Sequence, residues 1–441
     1  MKFYAIDTET YLIAAGRVAP WLVVLSWACS PGPRFGLFLR TDALAWVRER
    51  LEGGDALVGH NIAFDLGVLV QADPSLMPLV WQAYDEGRIF DTGILERLRK
   101  IELGYTRIDP RTGKPPRYRL SDLASEWLDV EMTGKSEPDA WRFRYRELDD
   151  GRPLAEWPPE AREYAMKDAY LTFGIFNKQR DAYSSPDFAR QCRSAWALHL
   201  VSAWGIRTDS TAVDALVEDL EADVTSALAT LTEAGVYRDN GTKDMAAVRA
   251  RVSAAYEDHP PLTDKGAVST ARLVLEESGD EVLALLASIG AAQKLLSTYI
   301  PVLRAGTARP LNPRYNLVDS GRTSASGPNI QNVPRRGGVR EAFIPREGNL
   351  FVACDYAIAE LSALAQICVH RYGSSQMAQA IQAGRDLHLH TGAGILVHGS
   401  RQATQRPRTR ASSRNVSISD WRAAWDRPAF ASLPKPPTAW S

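Results

Sequence analysis

Over the first 185 residues, apolar positions come in short blocks that alternate between two spacings. Residues 2–6, 21–29 and 35–40 read as strands, the first two apolar enough to lie inside a sheet. Residues 42–51 have helical spacing, residues 56–59 read as a fourth strand, and residues 64–70 as the helix behind it. Residues 91–100 and 120–128 are helical. Between them, residues 109–117 mix proline, glycine and charge, which predicts a solvated loop. Pro158-Pro159 opens a long helix to about Tyr183, because proline is tolerated in a first helical turn. This pattern predicts an α/β domain over residues 1–185.

The spacing then changes. Residues 209–235 and 246–256 are helical, and residues 271–304 continue so, with breaks expected near Gly279 and Pro301. Alanine, leucine and glutamate dominate, so residues 186–305 read as a helical domain. Residues 306–398 are mixed: a Gly/Pro/Asn-rich stretch, a strand at 350–354 and a helix at 358–369. No run of 18 apolar residues occurs, so no membrane helix is expected.

Composition narrows the class. The 441 residues carry a net charge of −1, with 45% hydrophobic and 24% charged residues, as in soluble globular proteins. Four dispersed cysteines form no CxxC pair, which disfavours a disulfide scaffold or zinc ribbon and favours a reducing compartment. Charge is unevenly spread: residues 399–441 carry +6 and the rest −7. That tail has neither helical nor strand periodicity.

Two constellations carry chemistry. Asp7 and Glu9 end the first strand, and side chains two apart on an extended chain point the same way. Asp65 follows the fourth strand in Asn61-Ile62-Ala63-Phe64-Asp65, and Tyr164 and Asp168, four apart, share a helix face. Gathered carboxylates resist ionisation. Hard divalent cations relieve that, and a pair about 4 Å apart would clamp both oxygens of a phosphodiester displacement. An isolated Asp-x-Glu is more often two solvated acids; the weight here comes from the whole set in this order.

This set resembles the 3′–5′ exonuclease domain of the family A DNA polymerases, with its Asp-x-Glu, Asn-x-x-x-Asp and Tyr-x-x-x-Asp motifs. The resemblance implies a ribonuclease-H-like fold and two Mg²⁺ (or Mn²⁺) ions per active site. Asp7, Glu9 and Asp168 would bind one ion. Asp7 would help hold the other, with Asp65 acting through its waters, and Tyr164 would orient the attacking water.

The second constellation is the polar run Gly321–Pro334 (321–334), followed by Asp355 at a predicted strand end and Glu360 five residues on. By itself the run reads as a surface loop. With its sequel it resembles the opening of the family A palm. That resemblance makes Asp355 a ligand of both catalytic ions, and Tyr356 a carbonyl ligand. It places Glu360 beside the incoming sugar and His388 on nucleotide phosphates, and brings Arg322, Asn329, Gln331 and Asn332 near primer–template DNA. Residues 291–299 resemble the family's thumb. Ala357-Ile358-Ala359 and Ser362 depart from the usual pattern, which bears on nucleotide selectivity.

The expected architecture is therefore an α/β exonuclease domain (1–185), a helical thumb-like region (186–305), the start of an α+β polymerase palm (306–398) and an aberrant basic tail (399–441). The expected function is DNA-directed DNA synthesis with proofreading, on single-stranded and primer–template DNA with dNTPs, by a cytoplasmic monomer of bacterial or phage origin. No 5′-nuclease domain is expected to precede residue 1. The family's fingers and downstream His-Asp-Glu are not found, so a truncated or frameshifted chain retaining only the exonuclease is expected. A stand-alone exonuclease and a non-catalytic DNA-binding remnant are the alternatives. The tail reads three ways: a disordered extension, a weak DNA-binding appendage, or, preferred, translation in the wrong frame, since the shifted codons permit Phe-Asn-Phe-Gly-Leu around 416–421.

Overall fold

The computed structural model describes residues 1–387, apart from 31–33, 133–136, 258 and 335–336. The expectations for His388 and for the tail at 399–441 lie outside the described residues. The chain divides into two units, Met1–Phe351 and Val352–Ser441.

The first unit begins with a five-stranded mixed sheet. Its strands are β1 (Phe3–Thr10), β2 (Leu22–Cys29), β3 (Arg34–Leu39), β4 (Ala56–Gly59) and β5 (Ile89–Asp91), in the order β3-β2-β1-β4-β5. β1 pairs antiparallel with β2, and β2 with β3; β4 runs parallel to β1, and β5 parallel to β4. Helices α1 (Arg40–Glu52), α2 (Ile62–Ala72), α3 (Met77–Asp85), α4 (Thr92–Glu102), α5 (Leu120–Leu128), α6 (Pro159–Ala182) and α7 (Phe188–Trp204) surround it. Alternation along β1 sorts its side chains. Tyr4 and Ile6 pack with Val47, Leu66 and Trp196 of α1, α2 and α7, whereas Ala5 packs with Ala169 and Phe176 of α6. Both faces are covered, which is why the central strands read as continuous apolar runs.

The sequence pattern did not reveal β5, α3 or α7. β5 has only three residues, too short to show a period. The loop at 109–117 is exposed over most of its length, as its composition predicts, apart from its first residue. Asp109 is buried, its carboxylate 2.8 Å from the Arg111 guanidinium and 3.4 Å from the buried ammonium of Lys100. Lys100 also reaches Glu126, at 3.0 Å. Pairing, rather than solvent, satisfies these charges.

Beyond α7 come β6 (Arg207–Thr208), α8 (Ser210–Glu233), α9 (Met245–Ala255), α10 (Arg272–Glu276), α11 (Glu281–Lys294) and α12 (Ile300–Ala308). Aspartates start three of these helices: Asp209, Asp244 and Asp280 accept hydrogen bonds from first-turn amides. The break at Gly279 is present, but Pro301 breaks nothing. A π-turn at Leu295–Tyr299 joins α11 to α12 directly, and Pro301 sits in the first turn after it, where its missing N–H is tolerated. The continuous helix Glu281–Ala308 is consequently long and apolar enough, by length and composition, to cross a membrane, contrary to the sequence expectation. Here Leu283 and Leu286 pack with Leu231, while Ile300 and Leu303 pack with Val213 and Leu220, all four helix residues against α8.

The hairpin β7 (Arg314–Leu317) and β8 (Thr323–Ser326) follows, and β9 (Phe343–Ile344) pairs with β6. The hairpin is tied back to the first domain. Ser202 Oγ donates to Pro313 O at 2.6 Å, and Arg97 bonds to Leu317 O and lies 3.9 Å from Asp319.

The strand expected at 350–354 is not formed. These residues have no ladder partners among the described residues, and Leu350 and Val352 are 87% and 84% exposed. β-propensity expresses packing on neighbouring strands, so an apolar run with no neighbour stays unpaired. In the second unit, α13 (Ala359–Tyr372) ends at Gly373 in the left-handed conformation (φ 76°) and packs on α14 (Gln376–Gln382).

Candidate functional site

β1 delivers Asp7 and Glu9 on the face that carries Ala5, which is the α6 face. Ladder register shifts between Glu9 and Thr10, a bulge that ends the regular pairing at the acids. On α6, Ala161, Ala165 and Ala169 are fully buried, and their small side chains let the helix lie close over the sheet. Ala161 and Ala165 pack with Val23 and Val24 of β2. The same helix carries Tyr164, half-buried, and Asp168, 9% exposed.

Electrostatics ties these four together. Burial, then the negative charges of Glu9 and Asp168, push the Tyr164 hydroxyl well above its ordinary value; Arg142 opposes the shift. Neighbouring Tyr145 is also driven strongly upward by burial and by Glu9, Tyr164, Asp7 and Asp168. Its hydroxyl donates to Ala161 O at 2.7 Å, and its ring lies 6.3 Å from Tyr164.

Asp65 is held differently. Its Oδ1 accepts from Thr8 N at 2.9 Å and from Thr8 Oγ1 at 2.7 Å. Thr8 alternates with Asp7 and Glu9, so this bond lies on the α2 side of β1. Burial pushes the Asp65 carboxyl up to about 7, the Thr8 hydrogen bonds pull against that, and Asp91 adds to the rise. Asn61 occupies the left-handed region (φ 64°), which asparagine tolerates, and turns the chain sharply from β4 into α2.

The donor set consists of carboxylate and hydroxyl oxygens, which suits a hard divalent cation. The set is not closed into a cage, however. Among the described residues, no group of three or more His, Cys, Asp or Glu side chains is gathered tightly enough to hold a metal. Asp65 is engaged by Thr8.

Residues missed by sequence reasoning are Thr8, Asp91, Tyr145 and Arg142. Asp91 Oδ2 accepts from Ile62 N at 3.0 Å, and its Oδ1 caps α4, so it fixes the start of α2 as well. A buried acid between an apolar strand and a helix was the available signal.

Those palm-like residues that are described, Arg322, Asn329, Gln331, Asn332, Asp355, Tyr356 and Glu360, are all exposed. Arg322 sits at the tip of the β7–β8 hairpin, where its carbonyl accepts from Val318 N. Gln331 Nε2 donates to Thr323 Oγ1 at 2.7 Å, and Asn332 O accepts from Tyr299 Oη at 3.0 Å. Asn329 precedes the short turn that carries them. In the second unit, Asp355 and Tyr356 follow the unpaired segment rather than a strand, and Glu360 lies in the first turn of α13. Before that turn, Ile358 is left-handed (φ 49°), a strained conformation for a β-branched residue.

Residues 238–418 match DNA polymerase family A, and residues 41–181 match a 3′–5′ exonuclease family. The first match takes in the 321–334 run, Asp355 and Glu360. The second takes in Asn61, Asp65, Tyr164 and Asp168 but begins after Asp7 and Glu9. Over these two segments the chain is similar to family A DNA polymerases and to their 3′–5′ exonucleases. Thermostable DNA polymerase I of Thermus aquaticus is 31% identical over 258 residues, covering 54% of this chain and 30% of that protein. DNA polymerase I of Chloroflexus aurantiacus is 38% identical over 108 residues, 22% of this chain and 11% of that protein. The chain thus spans under a third of the length of these relatives. The POL domain of Pol1 from M. smegmatis, in complex with DNA primer-template and dNTP, shares the fold with a TM-score of 0.55 and 17% identity, covering 87% of this chain and 62% of that one.

Proposed function

We propose that the chain acts in DNA replication as a DNA-directed DNA polymerase with a 3′–5′ proofreading exonuclease. The observation that carries the reading is the joint placement of Asp7, Glu9, Tyr164 and Asp168 where β1 meets α6, in a chain whose two halves match the two corresponding families. The β3-β2-β1-β4-β5 order supports a ribonuclease-H-like exonuclease domain, and α8–α12 support a thumb-like role for the helical region.

In this reading Asp7, Glu9 and Asp168 would hold one Mg²⁺. Asp7 would help hold a second, with Asp65 acting on it indirectly. The ions would supply charge neutralisation and an activated water. Tyr164, kept protonated by burial and by the acids around it, donates a hydrogen bond that orients the water. Asn61 at the start of α2 would meet the strand being trimmed. In the palm-like region Asp355, Tyr356 and Glu360 would serve synthesis, with Arg322, Asn329, Gln331 and Asn332 along the primer–template and His388 on the nucleotide. A cytoplasmic monomer in a bacterial or phage-infected cell fits the bacterial relatives.

A 5′-labelled primer–template in Mg²⁺ tests both activities. Without nucleotides, 3′-end degradation is expected and Asp7→Ala should abolish it. With dNTPs, extension should depend on Asp355. Degradation by the Asp7→Ala variant at the wild-type rate would refute the assignment of the nuclease site.

A further inference from the structure

Residues 141–146 read Trp-Arg-Phe-Arg-Tyr-Arg, alternating aromatic and basic side chains. They form two short 3₁₀ turns, Trp141–Phe143 and Tyr145–Leu148. Alternation of this kind is often only a solvated turn, and half of this one has structural work. Tyr145 is fully buried and bonded to Ala161 O on α6. Arg144 pairs with Glu147 at 2.8 Å and lies 4.4 Å over the Trp141 ring.

The other half faces solvent. Arg142 is exposed, Phe143 is 41% exposed, and the Arg142 guanidinium lies 5.0 Å over the Phe143 ring. The location gives the pair its meaning. Trp141 and Tyr164 pack on the same apolar cluster, and Tyr145 lies between them, 6.1 Å from one ring and 6.3 Å from the other. Arg142 is also the cation whose charge reaches the Tyr164 hydroxyl.

A site built from carboxylates repels the phosphates of its own substrate, so a cation beside it is where an incoming backbone would be held. Exposed aromatic rings stack bases without regard to sequence, and single strands are bound by that combination. We propose that Arg142 and Phe143 form a platform for single-stranded DNA beside the carboxylate site, Arg142 holding a backbone phosphate and Phe143 stacking a base. The substrate class rests on the nuclease reading above. Both residues act as positioning residues, bringing the 3′ end to the acids.

The test uses the full chain and a 5′-fluorescein-labelled oligo(dT). Anisotropy in EDTA reads binding without cleavage, and degradation in Mg²⁺ reads kcat and KM. Arg142→Ala should weaken binding roughly tenfold and reduce the slope of log K against log salt by about 0.7, the value for one phosphate contact on a single strand. Phe143→Ala should weaken binding by roughly 5- to 100-fold at unchanged slope, and Phe143→Trp should restore it. In both alanine variants KM should rise while kcat holds. Arg272→Ala, on α10 and outside every site described, should leave all readouts unchanged. Melting each variant first confirms its fold, and Arg142→Lys provides a milder second probe that should keep the salt slope. Wild-type binding and slope in both alanine variants would overturn the platform, as would a fall in kcat at constant KM. A wild-type chain that degrades nothing in Mg²⁺ would instead refute the nuclease reading, while the EDTA comparison still decides the platform.

Discussion

Tyr164 and Asp168 occupy the same face of one helix but have unequal tasks. The carboxylate would hold a metal, whereas the hydroxyl would only orient a water. Asp168→Ala is therefore expected to remove nuclease activity, and Tyr164→Phe to reduce kcat within the roughly 10²–10⁴-fold range of a lost proton-handling group. Equal losses in single-turnover measurements would contradict that division. A second residue, His199 of α7, has no expected role in catalysis but reports on stability. Its ring stacks on Trp196 at 6.1 Å, and burial pulls its pKa down to about 4. The folded chain then binds fewer protons than the unfolded chain between about 4 and 6.5. Stability from this site is fully present above pH 6.5 and is lost as pH falls towards 4, by at most about 3 kcal/mol. His199→Leu should flatten that part of the profile, measured as denaturation midpoints at several pH values.

Between elements, close approach decides what is tolerated. α2 and α7 touch where Gly67 faces His199: a Cβ at Gly67 would lie 2.2 Å from His199 Nε2. Glycine weakens a helix interior, and here that cost is accepted for the contact. Gly67→Ala should destabilise by about 1–3 kcal/mol through overpacking, although alanine is the better helix former. The Gly67→Ala/His199→Ala double variant should recover part of the loss, so that the two effects are not additive. Strict additivity in thermal melts would show that the ring is not what the new methyl meets. Sequence spacing located both helices' chemistry unevenly. Asn61 and Asp65 were legible as a motif, but α7 was not read as a helix, so the reason for a glycine inside α2 was hidden.

At the scale of the molecule, the acids on β1 and α6 are separated by more than 150 positions in the chain. Binding a cation between them should strengthen the fold. Mg²⁺ at ~100 times its dissociation constant should raise stability by about 2.7 kcal/mol, and Asp7→Ala or Asp168→Ala should lose most of that gain. An equal Mg²⁺ response in wild type and both variants, read by the thermal midpoint, would place the ion elsewhere.

Local pattern was enough for the strands β1–β4, the helices α1, α2, α4, α5, α6, α8, α9 and α13, and the three exonuclease-like motifs. Each is written in neighbouring residues: period two or 3.6, a proline at a helix start, an acid at a strand end. The remainder depended on neighbours far away in the chain. Residues 350–354 have every local mark of a strand yet stay unpaired, because pairing belongs to a partner and not to the segment. Asp109, in a stretch with the composition of a solvated loop, is buried because Lys100 and Arg111 meet it there. Asp65 carries the motif spacing of a metal-site acid, but Thr8 sets where its carboxylate points, and burial sets its protonation. Sequence determined which groups were available; tertiary structure decided which faced each other, since charge, burial and hydrogen bonding act through space rather than along the chain.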